Sequence, residues 1–248
     1  MERDISYFFK NFGDKIYYIG IFTVLTIFTG GLVQIVVCIL FLQALRHIKS
    51  INQKLDNPNL KKFRFRLFGT VIIDLAGFII FLILTGIITF HFINILPTLY
   101  LPSTDPLTLL GNIFGFLISV LIFALGLGLM RIILHLSSWN ALNKFFKRNG
   151  VQFPPNIINK AIEGTDRLKK GYFLTLVGAT LVFVWMILLV VFVPALILMI
   201  QGSSLIFSDF ILGLVFYLIM VITAFFLTII GFILTILGYF DLSQLKNL

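Results

Sequence analysis

Five long apolar runs alternate along the chain with shorter polar connections. The runs cover residues 16–45, 67–96, 108–136, 172–200 and 210–240. A helix needs about 20 mostly apolar residues to cross a membrane, and each run has about 30. The pattern predicts an all-α integral membrane protein, a bundle of about five long transmembrane helices. They form one domain over residues 16–240, between tails at 1–15 and 241–248.

The polar connections differ in charge and length. Segments 46–66 and 137–171 are long and basic, whereas 97–107 and 201–209 are short and contain no Lys or Arg. With five crossings, both basic loops and the C-terminus share one side of the membrane. Because cytoplasmic loops carry the excess of Lys and Arg, we expect that side to be cytoplasmic and the N-terminus to lie outside.

Gly30 and Gly31 leave a second topology open for the first run. Glycine is a poor helix former, so a break there would make two half-helices and place the N-terminus inside. Since about 30 residues are too few for two full crossings, a single span is the preferred prediction. Gly231 raises the same question in the last run.

The composition supports a membrane protein of the cell membrane. Of 248 residues, 59% are hydrophobic and 12% are charged, with a mean hydropathy of +1.07. A soluble domain has about 25% charged residues, and a disordered chain would lack the 29 Phe. The net charge of +9 lies mainly beside the apolar runs. It indicates contact with anionic lipids of the inner leaflet and not nucleic-acid binding.

Three of the runs end in similar short sequences, which form a weak repeat. QALRHI (43–48), NALNKF (140–145) and SQLKNL (243–248) are alike, and LKKFRFRLFGT (60–70) is similar to LKKGYFLTLVGA (168–179). The repeat predicts two parallel hairpins followed by a fifth helix. The alternative is that any helix end at the inner leaflet needs leucine followed by polar and basic residues.

Three stretches carry a resemblance to known families. GGLVQIVVCILFLQALRHI, NPNLKKFRFRLFGTVIIDLAGFI and the closing GFILTILGYFDLSQLKN resemble uncharacterised polytopic membrane families of archaea and bacteria. The resemblance covers mainly residues 30–85 and 225–248. It implies a multi-pass membrane protein, and it implies no activity.

Two charged residues lie inside the apolar runs. Asp74 is about 10 Å from the inner end of its run, and Arg131 is about 8 Å from the inner end of the next. Ionisable residues at depth usually have a partner, so we predict an intramembrane ion pair between them. The alternatives are that Arg131 reaches the interface alone, and that Asp74 is either satisfied by Thr70 or protonated.

Other polar and small residues within the runs predict helix contacts. Gln34 lies near mid-membrane in the first run and is a candidate polar contact. Small residues at four-residue spacing predict close helix packing, and one more shares the face of Arg131. These packing residues are Gly111, Gly115, Ser119 and Gly128.

The second basic connection contains an amphipathic pattern. Trp139, Leu142, Phe145 and Phe146 recur at helical spacing among basic residues. Such a pattern is typical of a helix that lies on the membrane surface. We therefore predict that these four side chains face the lipid of the inner leaflet. The alternative is that they form a docking site for a soluble partner.

Catalytic and metal-binding motifs are absent from the sequence. It has no metalloprotease, nucleophile-elbow or phosphate-loop motif, one cysteine and three scattered histidines, so we expect no metal, no cofactor and no enzymatic activity. Two hypotheses follow. One is a structural or accessory component of a membrane assembly, in a homo-oligomer or with another membrane protein. The other is a small transporter or channel that uses Asp74, Arg131 and Gln34.

Overall fold

The computed structural model describes residues 3–29, 32–95, 106–200 and 207–248. Within these ranges the chain forms six α-helices and no strand, which confirms the predicted all-α class. The helices are α1 (Arg3–Phe28), α2 (Gln34–Leu55), α3 (Pro58–Ile95), α4 (Pro106–Asn149), α5 (Pro155–Ile200) and α6 (Phe207–Leu242). Short 3₁₀ turns follow at Gly150–Gln152 and Ser243–Asn247.

Five of the described helices are long and apolar enough to cross a membrane. The segments are Gln34–Leu55, Pro58–Ile87, Val120–Gln152, Pro155–Leu188 and Val215–Asn247. The number agrees with the sequence prediction, and the helices form two turn-linked pairs, α2–α3 and α4–α5, followed by α6. The last run is one continuous helix through Gly231, so no break occurs there.

The first apolar run differs from its predicted single span. The helix α1 ends at Phe28 and α2 begins at Gln34. A turn follows α1, in which the Leu32 amide donates to the Thr29 carbonyl at 3.2 Å, and the two helices then pack against each other. The continuous helix over 16–45 is therefore wrong. The Gly30-Gly31 pair in the sequence is the physical reason, because two adjacent glycines weaken a helix by about 2 kcal/mol relative to alanine.

This hairpin also corrects the predicted separation of the two termini. Asp4 forms an ion pair with Lys54 at the end of α2, at 2.6 Å, and the Ser6 hydroxyl lies 3.4 Å from the carbonyl oxygen of Leu248. The helix α1 packs along the C-terminal turn, where Gly13 contacts the backbone of Lys246. The N-terminus and the C-terminus thus lie together, because the chain reverses between α1 and α2.

The basic connections are helical extensions joined by short turns. Residues 46–66 comprise the end of α2, a two-residue turn and the start of α3. Asp56 adopts the left-handed conformation that ends α2, at φ 42°. Asn57 caps α3 by accepting the Asn59 amide at 2.9 Å, and Pro58 takes the first helical position, where its missing amide is tolerated. Residues 137–171 similarly contain the end of α4 and the start of α5.

Contacts divide the chain into two compact units. The first comprises Met1–Leu75, Met130–Gly178 and Phe225–Leu248, and we call it the charged unit because it contains every Lys and Arg. The second comprises Ala76–Leu129 and Ala179–Ala224, and we call it the apolar unit. Its described ring contact joins Trp185 and Tyr217, whose centroids are 5.1 Å apart.

The charged unit has an aromatic core that the sequence did not predict. The rings of Phe9 and Phe145 are 5.9 Å apart, and those of Phe63 and Trp139 are 5.3 Å apart. The four side chains predicted to face lipid are all buried: Trp139, Leu142, Phe145 and Phe146. That prediction is wrong because other helices of the chain cover this face. Phe9 of α1 contacts Phe145 and Phe146, and rings from α2, α3 and α6 surround Trp139.

Glycines bring α5 and α6 into backbone contact within the charged unit. A Cβ atom on Gly171 would lie 2.6 Å from the carbonyl oxygen of Gly231, and one on Gly231 would lie 2.7 Å from that of Gly171. Gly164 and Gly238 face each other in the same way, seven residues along each helix. The contact therefore requires glycine at these positions, since any side chain would push the helices apart.

The glycines and the serine that the sequence predicts to pack against helices lie elsewhere, on α4. A Cβ atom on Gly128 would meet nothing within 4 Å, so the described part of the chain places no helix against it. The ridge of Gly111, Gly115 and Ser119 belongs to α4. The packing predicted for these three residues lies outside what the structure describes.

Candidate intramembrane polar site

Asp74 and Arg131 meet in the charged unit. Asp74 lies on α3 and Arg131 on α4, and Nε of Arg131 is 2.5 Å from Oδ1 of Asp74. The side chain of Asp74 is 5% exposed, whereas that of Arg131 is 39% exposed. The buried carboxylate thus has an opposite charge beside it, which offsets the cost of removing it from water. The Arg131 side chain remains partly accessible.

Gln34 completes a triad of side chains from three helices. As the first residue of α2, it donates from Nε2 to Oδ2 of Asp74 at 3.2 Å. Both carboxylate oxygens of Asp74 therefore have a partner, one charged and one neutral. Thr70 is not one of these partners, because its hydroxyl donates to the carbonyl of Leu67 at 2.6 Å. The triad brings together the three polar residues that the sequence singled out.

His135 lies one helical turn beyond Arg131 and was missed as a site residue. Its side chain is buried, and its ring stacks on Tyr172 with centroids 4.5 Å apart and planes 11° apart. Neither ring nitrogen has a hydrogen-bond partner in the part of the chain that the structure describes. The spacing of Arg131, His135 and Trp139, four residues apart on α4, is the signal that could have placed them on one face.

Two tyrosines connect the remaining helices to this region. The hydroxyls of Tyr172 on α5 and Tyr239 on α6 are 2.8 Å apart. Phe41 of α2 packs near both His135 and Tyr239, with ring centroids 5.8 and 6.3 Å away. The helices α2 to α6 thus all contribute side chains to one polar and aromatic layer of the charged unit.

The chemistry available to this layer is limited. One carboxylate and one guanidinium neutralise each other, and the amide of Gln34 only donates to the pair. Cys38, one turn after Gln34, is buried and free. Among the described residues, no three His, Cys, Asp or Glu side chains are grouped to hold a metal ion. The arrangement can hold helices together.

Comparison with known proteins assigns no family. The chain matches no family model, no curated protein and no solved structure. Its function is therefore argued from the site and from the surfaces of the two units.

Proposed function

We propose that this chain is a non-enzymatic, multi-pass component of a membrane assembly in which the triad of Asp74, Arg131 and Gln34 holds three helices in position. The observation that carries the proposal is the use of both Asp74 oxygens by side chains from α2 and α4. A carboxylate that is already paired within the chain needs no ligand to be stable at depth. The triad therefore acts as a clamp.

Open glycines support the assembly part of the proposal. A Cβ atom at any of four glycines in the apolar unit would meet nothing within 4 Å among the residues that the structure describes: Gly77, Gly86, Gly126 and Gly128. Glycine allows the close approach of helices in membranes, as it does for Gly171 and Gly231 in this chain. We infer that the open glycines accommodate a helix of a second copy or of another membrane protein.

Charge supports a location in the cell membrane with the basic ends on the cytoplasmic side. Every Lys and Arg apart from Arg131 lies in the N-terminal segment, in the two basic connections or at the C-terminus. The positive-inside rule favours the cytoplasm for these segments. Because the termini lie together, we propose that both are cytoplasmic. Fluorescent-protein fusions that fold only in the cytoplasm should be bright at either terminus, and a dark N-terminal fusion beside a bright C-terminal one would contradict this orientation.

Native purification tests the assembly. In mild detergent the chain should run as a complex, and Gly126→Leu with Gly128→Leu should release monomer because the added side chains fill the open surface. Val184→Leu with Val215→Leu adds bulk at exposed positions without replacing glycine, and it should leave the complex intact. A lone monomer at every protein concentration would contradict the proposal.

The unpartnered His135 favours transport as a second candidate function. A buried, titratable side chain beside an ion pair is typical of proton pathways in membrane proteins. If the site carries protons, Asp74→Asn should abolish proton flux in proteoliposomes loaded with a pH-sensitive dye. Asp4→Asn removes a carboxylate from the exposed pair with Lys54 and serves as the matched control. Absent flux in the unmodified chain, or unchanged flux in Asp74→Asn, would exclude this candidate.

A further inference from the structure

A basic groove lies along the start of α3 in the charged unit. Its volume is about 810 Å³. Four cations line it, at Lys61, Lys62, Arg64 and Arg66, together with apolar side chains at Leu45, Pro58, Phe65, Phe68 and Leu134. No Asp or Glu is among the lining residues. The groove therefore combines a concentrated positive charge with an apolar wall.

The cations of this groove differ from those of the other basic connection. There, Asp166 pairs with Lys147 at 3.2 Å and with Lys169 at 3.3 Å, and Arg167 pairs with Asp241 at 2.6 Å. In the described part of the chain, none of the four groove cations lies within 4 Å of a carboxylate. The described part of the chain thus leaves the positive charge of the groove without a neutralising carboxylate.

Arg66 is the one groove cation with a described hydrogen bond. It donates from Nη1 to the carbonyl of Ser137 at 3.2 Å, which ties the start of α3 to α4. Lys61, Lys62 and Arg64 are exposed. These three are free to meet an anion, while Arg66 helps to form the groove.

Exposed apolar side chains continue from the groove along α3. Phe65 is 79% exposed, and Phe68, Ile72 and Leu75 are also exposed. From Phe65 to Leu75 the helix rises about 15 Å. A ligand that fits this surface has an anionic head at the lysines and an apolar tail that follows the helix into the membrane.

We propose that this groove is a binding site for an anionic phospholipid. The phosphate lies among Lys61, Lys62 and Arg64, and an acyl chain packs along Phe68 and Ile72. Basic surfaces at the cytoplasmic ends of membrane helices bind such headgroups through charge. The inference depends on the proposed membrane location of the charged unit, and it adds a specific partner to that location.

Lipid titration with native mass spectrometry tests the site. The full chain in neutral detergent is titrated with palmitoyl-oleoyl phosphatidylglycerol and, separately, with the zwitterionic phosphatidylcholine of the same chains. We expect phosphatidylglycerol to bind at least tenfold more tightly. Equal binding of the two lipids would overturn the proposal.

A charge-removal variant locates the site. The triple variant Lys61→Gln, Lys62→Gln, Arg64→Gln should weaken phosphatidylglycerol binding roughly hundredfold, since each cation near a membrane surface contributes about fivefold. The control Lys144→Gln, Arg148→Gln, Lys170→Gln removes the same charge from exposed positions outside the groove. It should change binding less than threefold, and equal weakening by both variants would overturn the site.

Competition with glycerol phosphate distinguishes a lipid site from a site for free phosphate. Excess glycerol phosphate should not displace phosphatidylglycerol, because it carries a phosphate group without the acyl chains. Full displacement would identify a site for free phosphate and overturn the lipid proposal.

Thermal unfolding distinguishes lost binding from a lost fold. The triple variant should unfold at the same temperature as the unmodified chain, since its three altered side chains are exposed. If the triple variant does not fold, Phe65→Ser replaces that variant as the test. It should weaken phosphatidylglycerol binding without any change of charge. Unchanged binding would overturn the site. These measurements in detergent depend neither on assembly nor on the triad, so they can fail while the proposed function stands.

Discussion

The charged unit and the apolar unit differ in where their contacts lie. In the charged unit, Trp139, Phe145 and Phe63 are fully buried among rings from several helices. In the apolar unit, the described side chains are mostly exposed, and Phe216 remains 64% accessible. The charged unit has an aromatic core buried against its own chain, although it also exposes Phe65 and Phe68, whereas the described part of the apolar unit has no comparable core.

The glycines repeat the same difference. Gly171 and Gly231 in the charged unit are in contact with backbone, whereas Gly77 and Gly126 in the apolar unit have no neighbour within 4 Å of a Cβ position among the described residues. The comparison indicates that internal contacts determine the structure of the charged unit. It also supports our proposal that lipid or another subunit completes the surface of the apolar unit. Substitutions at matched residue types can separate these two situations.

Truncation of a large aromatic side chain should give the largest difference between the units. Trp139→Ala removes a fully buried ring and should lower the free energy of unfolding by about 3–5 kcal/mol. Phe216→Ala removes an exposed ring and should change the free energy of unfolding of the monomer by less than about 1 kcal/mol. Unfolding in mixed detergent, followed by circular dichroism, measures both. Similar losses in the two variants would show that the units do not differ in this way.

Enlargement of a glycine should give the next largest difference. Gly171→Leu places atoms against the backbone of α6 and should destabilise the chain by about 3 kcal/mol. Gly77→Leu meets no described neighbour within 4 Å and should leave the unfolding of the monomer nearly unchanged. The same titration compares them, and a stable Gly171→Leu protein would refute the close contact of α5 and α6.

Loss of the neutral member of the triad should have the smallest effect. Gln34→Leu removes one hydrogen bond to Asp74 and leaves the ion pair, so we expect a loss of about 1 kcal/mol. Gln34→Glu instead places a second carboxylate beside Asp74 and should destabilise more than leucine does. A neutral result for both variants would remove Gln34 from the clamp.

Hydropathy and depth predicted the features that depend on the membrane alone. The all-α class follows from the apolar runs, and the closeness of Asp74 and Arg131 follows from their similar depth on successive helices. The family resemblance, the topology and the function stay predictions from sequence and charge. A site built around a single buried carboxylate is simple to find, because few residues at depth can satisfy it.

The features that the sequence did not predict depend on whether lipid or another helix covers a given apolar face. An aromatic face over 139–146 has the same spacing whether lipid or α1 covers it, so periodicity cannot distinguish the two. Run 16–45 has the length of one tilted helix, and it also fits the end of α1 followed by the start of α2. Only Gly30-Gly31 marks the turn between them. The glycine contact of α5 and α6 uses seven-residue spacing and escaped a search for four-residue spacing. His135 was missed because its neighbours come from other helices.

Exchanging the charges of Asp74 and Arg131 shows whether this ion pair holds α3 and α4 together. Asp74→Arg and Arg131→Asp each leave like charges together, and each should lower the free energy of unfolding by about 3 kcal/mol. The double variant restores opposite charges and should recover more than half of the summed loss. The same exchange at the exposed pair of Asp4 and Lys54 should change stability by less than about 1 kcal/mol. A double variant that is as unstable as the two single losses added together would contradict the clamp.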